Sequence, residues 1–129
     1  MHLIQSFAGT AGATPDADRL RTREEAAAWL HRAALLPAEA GLTNSEHAAL
    51  LRLRESIRDV LAAHAEGRHD AAAAARLTRA LADGRLVLTI DQAGPVQLAS
   101  AARASYPNLV AAFAIAIAGA AADGAWPEG

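Results

Sequence analysis

The chain predicts a mainly α fold, a compact helical domain of about five helices with one small β-hairpin, and three observations carry that. Of 129 residues, 37 are alanine and only five are aromatic. Alanine favours helix and lets helices approach closely. Between His47 and His64 the apolar residues Leu50, Leu53, Ile57, Val60 and Leu61 fall on one face at helical spacing, with His64 as a polar tip to the stripe. One stretch breaks that period: Leu86, Leu88 and Ile90 alternate with Val87 and Thr89, and Val96-Gln97-Leu98 follows a turn at 92–95.

Each element has a local reason. Residues 3–10 are an apolar opening segment, helical in character, that ends at Gly9-Thr10-Ala11-Gly12 and runs into a loop at 13–18. Thr22-Arg23-Glu24-Glu25 is a capping-box pattern that opens a helix to about Leu35, with Ala26, Trp29, Leu30 and Ala33 at helical spacing and Pro37 and Gly41 as its stop. Thr43-Asn44-Ser45-Glu46 repeats the pattern and starts the long helix, which should reach Glu66 before Gly67. Asp70 caps an alanine-rich helix whose Ala74, Leu77 and Leu81 should face the core, with Asp83-Gly84 ending it. Tyr106-Pro107 precedes a final helix at 109–122 that is apolar all round and uncharged for 14 residues. That is short for a bilayer span, so it should lie at the centre of the core or at a homodimer contact. Residues 1–122 thus form one domain, and 123–129 read as a tail or shortened linker whose Trp126 needs something to pack against.

Composition excludes much chemistry. The chain has no cysteine, so disulfides, thiolate catalysis and cysteine-based metal sites are out. All twelve basic residues are arginine, which removes the lysine that a Walker A loop or a Schiff base requires. None of the five histidines has the spacing of His-Glu-x-x-His, no Gly-x-Ser-x-Gly occurs, and the Gly9–Gly12 turn lacks the strand and third glycine of a dinucleotide fingerprint. No metal, cofactor or catalytic group is therefore expected. A net charge of −2 gives no general attraction for nucleic acid, and the N-terminus lacks the pattern of a secretory signal, so a cytoplasmic protein without direct DNA contact is the expectation.

The candidate site residues are few. Arg54 and Arg58 sit at the edge of the long helix's apolar face, where two guanidiniums could grip a carboxylate or phosphate. The plainer reading, and the weightier one, is pairing with Glu55, Asp59 or an acid on a neighbouring helix. Of the two, Arg54 lies between Leu50 and Ile57 and should be the more buried, needing a carbonyl, an acid or a bound anion as partner. Trp29 is either core or a stacking wall, and Thr10 either a ligand donor or a local cap.

The order of elements resembles the ABATE domain, the N-terminal part of bacterial proteins that end in a CGNR zinc finger and are named for stress-induced transcription regulation. The resemblance rests on Ser6-Phe7-Ala8-Gly9-Thr10, where the family usually reads Asp-Phe-Val-Asn-Thr. It continues through Asp18-x-Leu20 with Trp29-Leu30, Leu53-Arg54-Glu55-Ser56-Ile57-Arg58, and Leu77-x-x-x-Leu81-Ala82 before the hairpin. It implies a ligand-sensing regulatory domain, with a pocket between the long helix, the Trp29 helix and the hairpin, lined by Phe7, Thr10, Trp29, Arg54 and Arg58. Two features depart from the family: Ser6 and Gly9 replace its Asp and Asn, and residues 127–129 after Trp126 hold none of the zinc finger's cysteines, as in a fragment or in a protein that lost its DNA reader. The alternatives are a structural or homodimerisation module without a ligand and, last, a small-molecule enzyme.

Overall fold

The computed structural model describes residues 1–100, with side chains through 98, and residues 105–127. These form α1 (His2–Ala8), α2 (Arg23–Arg32), α3 (Asn44–Ala65), α4 (Ala71–Leu81), the strands β1 (Leu86–Ile90) and β2 (Val96–Ser100), and α5 (Ser105–Ala122). Two 3-10 turns, Gly9–Ala11 and Pro15–Ala17, carry the chain from α1 toward α2.

The helix starts follow from their caps. The Thr43 hydroxyl accepts from the Glu46 amide while the Glu46 carboxylate accepts from the Thr43 amide, a complete capping box. At α2 the box is half made: Thr22 accepts from the Glu25 amide, but the Glu25 carboxylate accepts from the Thr22 hydroxyl and not from its amide. Asp70 accepts from the Ala73 amide and starts α4. The second helix is shorter than the sequence suggests. It closes at Arg32 because Ala34 turns into the left-handed region at φ 59° and the chain reverses there.

The core forms where α1, α3 and α5 meet. Leu50, Leu53 and Ile57 of α3 are fully buried, as the helical period requires, together with Ile4 and Phe7 of α1 and Leu109, Val110 and Phe113 of α5. The Phe7 and Phe113 rings lie 4.3 Å apart, and Trp29 flanks Phe7 at 5.9 Å. By length and mean hydropathy α5 could pass for a membrane span, but Tyr106, Leu109, Val110, Ala111 and Phe113 are buried in the core. Past Phe113 the helix is half-buried or exposed apart from Ala120, and Ala125 and Trp126 fold back against the core, with both amides donating to the Ala120 carbonyl. The tail's tryptophan is thus packed.

α4 lies along α3 and ends against α5. A Cβ on Gly84 would sit 2.7 Å from the Ala111 amide nitrogen, so only glycine lets the end of α4 approach the α5 backbone this closely. The inward face of α4 is Ala73 and Leu77, whereas Ala74, which the sequence reading placed inward, is exposed. Five consecutive alanines carry no information about helical phase, and it is Ala73, four residues before Leu77, that shares the buried face. The hairpin pairs Leu86 with Ser100, Leu88 with Leu98 and Ile90 with Val96, and its second strand runs two residues beyond the predicted Leu98.

Candidate functional site

The two arginines singled out on α3 belong to a buried polar knot. Arg54 is 6% exposed in its side chain, and its guanidinium meets Asp18 in a two-pronged pair, Nη1 to Oδ1 at 2.7 Å and Nη2 to Oδ2 at 2.9 Å. Its Nε donates to Glu55 at 2.9 Å and Nη1 reaches the Thr10 hydroxyl at 3.4 Å. That hydroxyl donates onward to the Phe7 carbonyl at 2.6 Å. Asp18 also accepts from the Leu20 amide, and Arg58 donates to the Ala8 carbonyl while pairing with Glu55. The bonds from Arg54 to Asp18 and Thr10 and from Arg58 to Ala8 tie α3 to the end of α1 and the segment after it. The Arg54 guanidinium holds the Asp18 carboxyl below the ordinary carboxylate range. Burial works against the Arg54 charge, but hydrogen bonds to Asp18 and Glu55 outweigh it and raise its pKa.

Of the residues expected to line a pocket, Arg54, Arg58 and Thr10 make these contacts. Arg54 meets an acid, as a buried guanidinium must, and its donors are engaged within the chain. Thr10 is buried with its proton given to Phe7, and Phe7 is wholly core. Of the five residues proposed to line a pocket, Trp29 faces an open cleft, and that cleft lies between α1 and α2, away from the hairpin.

This cleft, about 740 Å³, has His2, Gln5, Ser6 and Gly9 on the α1 side, Trp29, Arg32 and Ala33 on the α2 side, and Arg19 on the connecting loop. Ser6 and Gly9 occupy the two motif positions where the chain departs from the ABATE pattern, and both line it. Arg19 and Arg32 have no ion pair among the described residues, and no Asp or Glu lines the cleft. The half-buried Trp29 supplies an aromatic wall backed by Phe7. The sequence did carry a signal for Arg32, which follows Trp29 by three residues and so shares its helix face. Arg19, inside the Asp18-x-Leu20 motif, had none.

A second cleft of about 430 Å³ lies between α3, α4 and the start of α5. Arg52, Arg76 and Arg79 line it beside Glu55, Asp59 and Asp83, and Arg76 pairs with Asp59 at 3.3 Å, so its charges balance. Tyr106, 8% exposed, closes one end, and burial pushes its phenol up to about 12. Among the described residues no group of His, Asp or Glu is placed to hold a metal ion.

The chain belongs to the ABATE family: the family profile, described as "Putative stress-induced transcription regulator", matches residues 1–124. That family is named for regulating transcription and not for an enzyme activity. No curated protein and no solved structure matches the chain.

Proposed function

We propose that this chain is the sensing domain of a cytoplasmic transcription regulator and that it binds a small anionic molecule in the α1/α2 cleft. One observation carries the reading: two arginines without ion pairs flank a tryptophan in a cleft free of acidic residues, next to the motif positions Ser6 and Gly9. Such a wall suits a flat molecule bearing a carboxylate or phosphate, its ring against Trp29 and its charge between the guanidiniums. Arg54 and Arg58 then act at one remove, by holding the α1 segment and the loop that bears Arg19. A ligand that draws Arg19 and Arg32 together would press on that same segment, which is how occupancy could reach α3. Among the described residues the cleft's Ser6 and His2 are not hydrogen-bonded to each other, so no activated nucleophile supports catalysis there. The assembly alternative finds support in the hairpin, whose large apolar residues are exposed.

The test uses benzoate and inorganic phosphate as probes, with Trp126→Phe as background so that Trp29 is the only tryptophan. Benzoate should change the Trp29 emission and raise the melting temperature, and Arg32→Ala should weaken it about tenfold, the loss of one charged hydrogen-bonding partner. If neither probe binds, or binding ignores Arg19 and Arg32 alike, the reading is wrong. The chain alone should also leave duplex DNA unbound in a gel-shift assay at low salt, where a cationic surface would show itself most strongly.

A further inference from the structure

The hairpin is the part of the molecule that its own fold leaves uncovered. Its register puts Leu86, Leu88, Ile90, Val96 and Leu98 on one face. All five are exposed, Ile90 at 69% and Val96 at 60%. β2 is the strand beside α5, and the far edge of β1 has no strand partner. The Asp91 amide donates to the Pro95 carbonyl at 2.9 Å. An antiparallel ladder alternates, so Thr89 and Val87 also turn their backbone groups toward β2. The N–H and C=O of Leu86, Leu88 and Ile90 therefore point away from it. No charge or proline interrupts residues 86–90, so nothing in β1 blunts that edge.

The same edge is complementary to itself. In an antiparallel pair of β1 strands centred on Leu88, Leu88 faces Leu88 and Leu86 faces Ile90, each through the outward backbone groups. At both ends this register sets Arg85 opposite Asp91. Neither side chain has an ion pair or hydrogen bond among the described residues. A slip of one residue would lose both the charge match and the apolar match. We propose that two copies of this chain associate through β1 about a two-fold axis at Leu88. The product is a four-stranded antiparallel sheet in the order β2, β1, β1, β2, on which the two apolar faces run together.

The chain has no cysteine, so Leu88→Cys introduces a single thiol on the axis. Directly paired residues of this kind lie about 5.5 Å apart at Cα, within reach of a disulfide. Mild oxidation should therefore convert the variant to a covalent dimer, while Val96→Cys, on the strand away from the axis, should crosslink far less. In sedimentation equilibrium Arg85→Asp should weaken the dimer about tenfold, and the double reversal Arg85→Asp/Asp91→Arg should restore it. Within one strand these residues are ~20 Å apart, so restoration can come only from contact between copies. Circular dichroism keeps loss of fold apart from loss of association. A chain that stays monomeric at every concentration, a dimer indifferent to Arg85→Asp, or a double reversal that fails to restore would each overturn the proposal.

Discussion

Arginine is spent inward on one side of the α1 segment and left open on the other. Arg54 is closed off behind Asp18, Glu55 and Thr10, whereas Arg19 and Arg32 stand at the wall of a cleft with no acid across from them. A guanidinium taken out of water must have its charge matched within the protein, which commits it to structure. One that stays hydrated costs little and keeps its charge for a ligand. Burial was the property that made Arg54 look like a binding residue from the sequence, and it is the property that commits its donors to Asp18, Glu55 and Thr10.

The largest effect should come from breaking the inward side. Asp18→Ala leaves Arg54 with Glu55 as its one acidic partner and should cost about 3 kcal/mol of unfolding free energy in urea. Arg54→Ala should cost a similar amount and free Thr10 and Asp18 from α3. Replacing both partners at once, Arg54→Met with Asp18→Leu, should recover most of the loss, because the desolvation of both charges is removed together. Single variants within about 0.5 kcal/mol of the parent would show that the knot is not structural.

The same pair sets the acid limb of stability. Asp18 titrates below its ordinary value of 3.8 in the folded chain because Arg54 donates to its charged form. Its contribution is therefore complete above about pH 4 and is lost as pH falls through the lowered folded value. Arg54→Ala should flatten the fall in stability below pH 4, and an unchanged acid limb would show that other carboxylates dominate it.

Much of the fold was legible because its causes are local. Thr43 with Glu46, Asp70 before the alanine run, and the alternation at 86–90 each announce an element from a few neighbouring residues. Contacts between residues far apart in the chain are less legible. That Arg54 would be buried followed from its place between Leu50 and Ile57, but that its partner is Asp18, 36 residues upstream, depends on how the loop after α1 crosses α3. The cleft was hidden for the same reason. Arg19 and His2 join Trp29 at its wall only once α1 and α2 have packed.

On the far side of α3 the balanced cleft gives a control of another kind. Tyr106 is the single tyrosine of the chain, so ultraviolet difference titration reads it alone. Burial raises its pKa to about 12, against about 10 when unfolded. The neutral phenol then favours the folded state fully below about pH 10, and that contribution is lost progressively as pH rises toward 12. A phenolate appearing near pH 10 in the folded protein would place the ring in water.

The smallest effect on stability should come from the outward arginines, and its smallness is the point. Arg19→Ala and Arg32→Ala remove exposed side chains with no ion pair, so each should change the unfolding free energy by less than about 0.5 kcal/mol. Either variant should nevertheless weaken benzoate, because the charge removed is one that no group of the protein was using. Salt separates the two settings further. Between exposed charges the attraction is screened over about 8 Å at physiological ionic strength, while a closed pair such as Arg54 with Asp18 is screened much less. Raising salt should therefore erode benzoate affinity and leave the melting temperature of the unliganded chain nearly unchanged. If Arg32→Ala instead destabilises the chain by as much as Arg54→Ala, its guanidinium is held by the fold, and the cleft loses the free charge on which anion binding rests.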